Sequence, residues 1–382
     1  MGKPQELQLH VTVEEVKEEN SAEYQNSKKL VSHEPRSYKR WIIISMYAFF
    51  VICGQSASTL LGRLYYDKGG KSIWLAMVSQ LAGFPILVPC YCLTAPPKTK
   101  DGQIQQPLSP SAAILVLVYF SFGICLAAYT LMYAIGLLHL QVSTFSLVCA
   151  SQLAFNALFS FFLHSQKFTP FILNSLVLLT ISSTLLISQT NPPTRHGGVL
   201  KGKYMVGFLC TIGASAVYGL MLSLTQLSFK KILKGAHVLE IVMYQSLVAT
   251  FVSVVGLFTS GEWRGLLMEM AEFELGKFSY VMTLIETAIA SQFFIVGTTG
   301  LILEVSSLFS NAISVLGLPV IPILAVLFFQ DKMDAVKVIA MVLAIWGFVS
   351  YVYQCYLDNN DSKSQYLCGS EVSKSPLLEE TS

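Results

Sequence analysis

Apolar residues in this chain run in long continuous blocks, with neither the alternation of strands nor the single stripe of surface helices. Ten blocks are present, at 41–61, 72–93, 112–137, 141–163, 170–189, 204–229, 238–259, 278–300, 305–329 and 335–357. Each reaches about 20 residues, the length an α-helix needs to cross the ~30 Å hydrocarbon core of a bilayer. The pattern predicts an all-α polytopic membrane protein with ten transmembrane helices. The connections are mostly short. The longer ones carry breakers: Pro96-Pro97 after the second block, Asn191-Pro192-Pro193 with Gly197-Gly198 after the fifth, and Gly261 after the seventh. Short links make successive helices antiparallel and leave no room for a soluble domain. The expected organisation is a polar cytoplasmic tail (1–40), five helices (41–189), a linker (190–203), five helices (204–357) and a polar cytoplasmic tail (358–382).

The two sets of five share weak internal matches. Leu140-Gln141-Val142-Ser143-Thr144 opens the fourth helix, and Leu303-Glu304-Val305-Ser306-Ser307 opens the ninth, 163 residues later. Trp41 and Tyr204, which start the first and sixth helices, are also 163 residues apart, and Lys167 and Lys332 follow the fourth and ninth at a spacing of 165. Five is odd, so a second copy enters the membrane from the opposite side. The reading is a 5+5 inverted repeat, the architecture of alternating-access transporters, with the site near the midplane between the halves.

Composition narrows the class. Hydrophobic residues make up 53% and charged residues 13%, against roughly 25% charged in soluble domains. The blocks hold three charged side chains, Glu240, Glu286 and Lys337. The rest lie outside them, because a charge at the bilayer centre costs about 2.5–3.5 kcal/mol. A net charge of +2 gives no reason to expect a nucleic-acid partner. The eight cysteines contain no CxxC, and all but Cys368 lie in the blocks, so neither a disulfide framework nor a zinc site is expected. The six histidines are not paired at ligand spacing, so no metal or cofactor is expected. The spans offer no HExxH, no histidine pair and no aspartate pair for an intramembrane enzyme. A receptor would need larger parts outside the membrane. No basic start leads into an apolar run, so a cleavable signal peptide is not expected. The Arg36–Arg40 and Lys230–Lys234 clusters favour a cytoplasmic N-terminus. The sequon at Asn360 is then cytoplasmic and unused.

Candidate chemistry lies in the polar residues inside the blocks. Glu286 is near the middle of the eighth helix, where an ionisable group is a functional candidate for binding a proton or pairing with a protonated amine; helix packing is the alternative. Glu240 is a weaker candidate, since a carboxylate in the first turn of a helix is favoured by the macrodipole. Lys337 is placed to snorkel. Gln55, Gln152, Asn156, Gln292 and Asn311 could present amides to a heterocycle or bond neighbouring helices. Gln152 and Asn156, four apart, share a face. Gln292 lies about 120° around the helix from Glu286. Trp74, Tyr129, Tyr133 and Tyr218 could stack on a planar ring or hold a cation, with the interfacial belt as the alternative for Trp41 and Trp74. Pro319 and Pro322 interrupt the ninth helix and could form a hinge beside Asn311.

Several longer segments are recognisable. Gly69-Gly70-Lys71 with Trp74, Val142-Ser143-Thr144, Ser151-Gln152-Leu153-Ala154-Phe155, Gln166-Lys167-Phe168-Thr169, Gly261-Glu262-Trp263, Val305-Ser306-Ser307-Leu308 and Trp346-Gly347-Phe348-Val349-Ser350-Tyr351 resemble the plant purine permease family of the drug/metabolite transporter superfamily. The likeness runs from about Trp41 to Tyr356. It implies a ten-helix inverted repeat and proton-coupled uptake of purine bases, cytokinins and, in some branches, alkaloids. Its partners would be a small heterocycle, protons and the lipid bilayer, with the plasma membrane as the expected location and an endomembrane as the alternative. A passive facilitator of the same fold is the other functional reading. Three positions depart from the family pattern. Tyr129-Thr130 stand where an Asp-Asn pair is common, Glu286 where a Trp is often seen, and Gln141 where a Pro precedes Val-Ser-Thr. The resemblance with these departures shifts the expected substrate from adenine toward a bulkier cationic alkaloid, such as a benzylisoquinoline, with Tyr129, Thr130 and Glu286 in its site.

Overall fold

The structure is a computed structural model that describes residues 38–94, 112–164, 197–233, 237–318 and 320–330, together with separate positions within 170–181 and 334–353. The chain divides into two units between Met46 and Tyr47. The described part of the first, 38–46, is a mostly exposed helical start. The second unit holds the remaining elements.

Long unbroken apolar sequence with satisfied backbone yields helices, and no strand occurs among the described residues. The helices are α1 (Tyr38–Asp67), α2 (Ile73–Leu81), α3 (Leu87–Thr94), α4 (Ala112–His139), α5 (Val142–Cys149), α6 (Gln152–His164), α7 (Gly197–Lys231), α8 (Val238–Ser260), α9 (Leu266–Glu272), α10 (Gly276–Glu304), α11 (Ser307–Gly317) and α12 (Val320–Phe329). Seven stretches among the described residues are long and apolar enough to cross a membrane. The described positions within 170–181 and 335–353 are helical as well. Lys167, Pro319, Lys332, Lys337, Asn360, residues 1–37 of the first tail and the whole of the second lie outside the described residues.

Three predicted helices are interrupted. A 3-10 turn, Phe84–Ile86, separates α2 from α3, where Pro85 has no N–H to give the helical ladder. At Ala150–Ser151 the amides bond three residues back, to Leu147 and Val148, which divides α5 from α6. α11 ends at Gly317 and α12 begins at Val320. A run of apolar residues reports burial in apolar surroundings; it does not report whether the backbone ladder continues. α7 begins at Gly197, inside the stretch expected to be a linker.

The helices pack in a recurring set of pairs. α4 lies against α7 and α8, α2 against α8 and α10, α6 against α7 and α11, and α10 against α11. α1 meets α10 at Gly54, where a Cβ would lie 2.6 Å from the Phe294 nitrogen, and meets α11 at Gly317. α4 meets α7 at Gly136, where a Cβ would lie 2.2 Å from Thr211 Oγ1. Small residues thus bring backbones together where lipid gives no hydrophobic drive for association.

Candidate functional site

A cavity of about 90 Å³ lies among α1, α2, α4, α5, α6, α7 and α10. One side of it is aromatic. Tyr129 and Tyr133, four residues apart on α4, point the same way because i and i+4 share a helix face. Their rings meet edge to face at 5.8 Å. Tyr133 continues to Phe145 at 5.7 Å, and Tyr129 to Tyr218 at 5.2 Å. Tyr218 in turn stacks on Phe294 at 6.2 Å with the planes 21° apart. Five rings from α4, α5, α7 and α10 therefore form a continuous wall, suited to a flat π-system.

The other side is built from uncharged polar groups. Gln152 Nε2 donates to Ser314 Oγ at 3.1 Å, and Ser314 Oγ donates to Gln55 Oε1 at 2.9 Å. The Tyr133 hydroxyl lies 3.3 Å from both Gln152 Oε1 and Ser215 Oγ. The result is a relay of neutral groups across α4, α6, α11 and α1. Ser58 and Ser291 bond across α1 and α10 at 2.7 Å, and Gln80 and Thr59 also line the cavity. Thr130 lines it too, with its hydroxyl donated to the Leu126 carbonyl at 2.7 Å. The buried Tyr218 hydroxyl lies beside Thr298 and Ser314, and neither contact has the length and angle of an ordinary hydrogen bond. A buried donor without a partner beside a cavity is positioned for a ligand. None of the described lining side chains is charged.

Of the candidates read from the sequence, Gln55, Tyr129, Thr130, Tyr133, Gln152 and Tyr218 are brought together at this cavity. Asn156, Gln292 and Asn311 sit behind it in helix contacts. Asn156 donates to the Ser307 carbonyl and accepts from Ser223, Asn311 donates to the Gln152 carbonyl at 3.0 Å, and Gln292 to the Leu81 carbonyl at 3.2 Å. Glu286 is exposed and borders a separate groove of about 430 Å³ between α1 and α10, among Phe49, Phe50 and Phe293. Glu240 lies in the first turn of α8, 3.5 Å from the Tyr119 hydroxyl. Trp74 packs its ring over Gly256 of α8.

A family profile described as purine nucleobase transmembrane transport matches residues 42–361. The chain belongs to the purine permease family. Among its relatives in Arabidopsis thaliana, probable purine permease 10 is 56% identical over 347 residues, 89% of the chain and 87% of the relative. Purine permease 21 is 56% identical over 343 residues, 88% and 86% of the two chains. Probable purine permease 6 is 50% identical over 369 residues, 94% and 92%. A solved crystal structure with 15% identity aligns over 81% of the chain and 97% of its own length at a TM-score of 0.51, a likeness of fold alone. Family membership and the seven apolar helices make the chain an integral membrane transporter rather than an enzyme.

Within this family member, sequence reading missed Ser58, Thr59, Gln80, Phe145, Cys149, Ser291 and Phe294 as lining residues. Gln80 carried a signal, being an amide inside an apolar block like those that were selected. Ser58 and Ser291 carried none, because serines are scattered through the helices and bond their own carbonyls readily.

Proposed function

We propose that the chain is a secondary active, proton-coupled importer of purine-like nitrogen heterocycles, working by alternating access between two five-helix halves. The observation that carries this reading is the cavity, with a five-ring aromatic wall on one side and amides and hydroxyls on the other. Purine rings are flat and edged with donors and acceptors. Rings match their faces, and amides, which both donate and accept, match their edges. The helix pairing supports the inverted repeat. If α1 and α2 correspond to α7 and α8, α4 to α10, and the α5–α6 segment to the α11–α12 segment, then α4 on α7 answers α10 on α1. By the same exchange α4 on α8 answers α10 on α2, α5 on α7 answers α11 on α1, and α2 on α8 maps onto itself. A site crossed by the Gln152–Ser314–Gln55 relay would then lie between the halves.

The volume favours a single small base. About 90 Å³ is well below the ~300–1,000 Å³ of drug-sized sites, so a cytokinin or a benzylisoquinoline alkaloid needs the walls to part. The Glu286 carboxylate in its apolar groove supports the second reading, that the protein handles a protonated amine or carries its proton there. The Arg36–Arg40 cluster at the start of α1 supports a cytoplasmic N-terminus, with the α1–α2 corner outside; the plasma membrane is the proposed location.

The test is uptake of labelled adenine into expressing cells, with purines, cytokinins and benzylisoquinolines as competitors, with and without an uncoupler. Accumulation that purines block and the uncoupler collapses is the expected result. Uptake indifferent to the uncoupler would identify a passive facilitator, and Glu286→Gln with undiminished accumulation would remove that residue from the coupling step.

A further inference from the structure

At the end of the bundle where α1 stops, a carboxylate is buried that takes no part in the cavity. Glu269, on α9 between α8 and α10, is 6% exposed, and it is the one charged side chain among the described residues to be buried. Its Oε1 accepts from the hydroxyls of Tyr65 and of Tyr280, the latter at 3.0 Å, and its Oε2 accepts from the Ser72 N–H at 3.2 Å. Next to it, Glu262 accepts from the Ser72 hydroxyl at 2.5 Å and from the Trp74 N–H at 3.2 Å, in the first turn of α2. Two ion pairs rim the cluster, Lys68–Glu274 at 2.9 Å and Lys71–Glu272 at 3.1 Å. All these bonds but that of Tyr280, which fixes Glu269 to α10, tie the α1–α2 corner to the α8–α10 connection.

The cluster stands over the cavity. The helices it ties together, α1, α2 and α10, supply Ser58, Gln80 and Ser291 to the cavity wall. Ser58 precedes Tyr65 by two turns, about 10 Å of helix, and Gln80 follows Ser72 by a little more. Parting the corner from the connection therefore parts these walls.

We propose that Glu269 is a proton-binding latch: as the carboxylate it holds the α1–α2 corner against the α8–α10 connection, and on gaining a proton it lets them separate, opening the cavity toward that face. A carboxylate accepts from all three donors at once. A carboxylic acid turns one oxygen into a donor, which then confronts an N–H or O–H, and the remaining bonds lose their charge assistance. Exchanging one charge-assisted bond for a neutral one shifts an equilibrium about tenfold. The other groups facing the site are Tyr65 and Tyr66 of α1, Lys68 and Lys71 of the corner, Glu262 of a 3-10 turn (Glu262–Gly265) between α8 and α9, Glu272 at the end of α9, Glu274 beyond it, and Tyr280 of α10. Glu262, Glu272 and Glu274 are carboxylates beside the same corner, so a variant must isolate Glu269. The role in transport rests on the alternating-access reading; the latch itself does not.

The test is hydrogen exchange of the full-length protein in lipid nanodiscs, followed on peptides covering 64–76 and 261–280 at about pH 7.5 and about pH 4.5, corrected for intrinsic rates. The wild type should lose about tenfold or more of its protection in acid. Glu269→Gln should already have lost it at neutral pH and should lose no more on acidification. Wild-type protection that ignores pH, or Glu269→Gln protected like the wild type, overturns the proposal. If Glu269→Gln does not fold, Tyr280→Phe keeps the carboxylate and removes one donor, so protection should be lost at a higher pH than in the wild type; an unmoved midpoint overturns it. Failure of purine uptake with this exchange behaviour intact would count against the transport reading alone.

Discussion

Gly54 offers a sharp perturbation of the cavity from outside it. A methyl group there would sit 2.6 Å from the Phe294 nitrogen and 2.7 Å from the Ala290 carbonyl, where ordinary contact begins at 3.4 Å. Both obstacles are backbone, so no rotamer change relieves them, and α1 must move off α10 by about 0.8 Å. That displacement stretches the Ser58–Ser291 bond from 2.7 Å to about 3.5 Å, beyond useful hydrogen-bond length. It also separates two walls of the cavity. Overpacking of this kind costs about 1–3 kcal/mol. Gly54→Ala should therefore lower the melting temperature of the solubilised protein and reduce the initial rate of purine uptake about tenfold at equal surface expression. Gly317→Ala is the matched control on the other side of α1, since its Cβ would meet the Ile52 Cα at an ordinary 3.5 Å. It should behave like the wild type. If the two variants are indistinguishable in melting and uptake, the close α1–α10 crossing does not shape the site.

Two further substitutions separate binding from packing. Tyr218→Phe removes a hydroxyl with no well-formed hydrogen bond to the protein, so melting should change little while the apparent KM for purine rises about two- to tenfold; a lower melting temperature with unchanged KM would place that hydroxyl in the fold. Gln292→Leu removes the bond to the Leu81 carbonyl together with a buried unpaired oxygen, so stability should change by less than about 1 kcal/mol. The rank order of competing substrates should stay as in the wild type, and a changed order would show that Gln292 reads the substrate.

Depth in the membrane was legible in the sequence, and direction around each helix was not. Hydropathy located Glu286 well inside the eighth block, yet it says nothing about azimuth. On α10 the buried face is Tyr280, Thr283, Thr287 and Ser291, spaced three and four apart, and Glu286 lies one residue, or about 100°, away from it. That stripe marks the inward face, but no single hydroxyl in it stands out in a sequence where serines and threonines are scattered through the helices. Tyr129 and Tyr133 reach the cavity together because their spacing fixes a common face. Gln292 and Asn311 did not reach the cavity because an amide in an apolar helix serves a neighbouring carbonyl as readily as a ligand. Glu269 escaped notice for another reason. It lies between blocks, where charge is ordinary, and its burial depends on Tyr65 and Ser72, some two hundred residues earlier. The breaks at Pro85 and Ser151 were hidden by the apolar residues on both sides of them.

The absence of charge from the described cavity lining has an electrical consequence. On the proposed alternating-access reading, the described walls of an empty, reorienting site carry no charge through the membrane field, so that return step should respond little to voltage. A bound proton or a protonated substrate restores the coupling, at about 2.3 kcal/mol per charge for every 100 mV crossed. On that reading the membrane potential would act on the cargo more than on the empty cavity, favouring the loaded inward step.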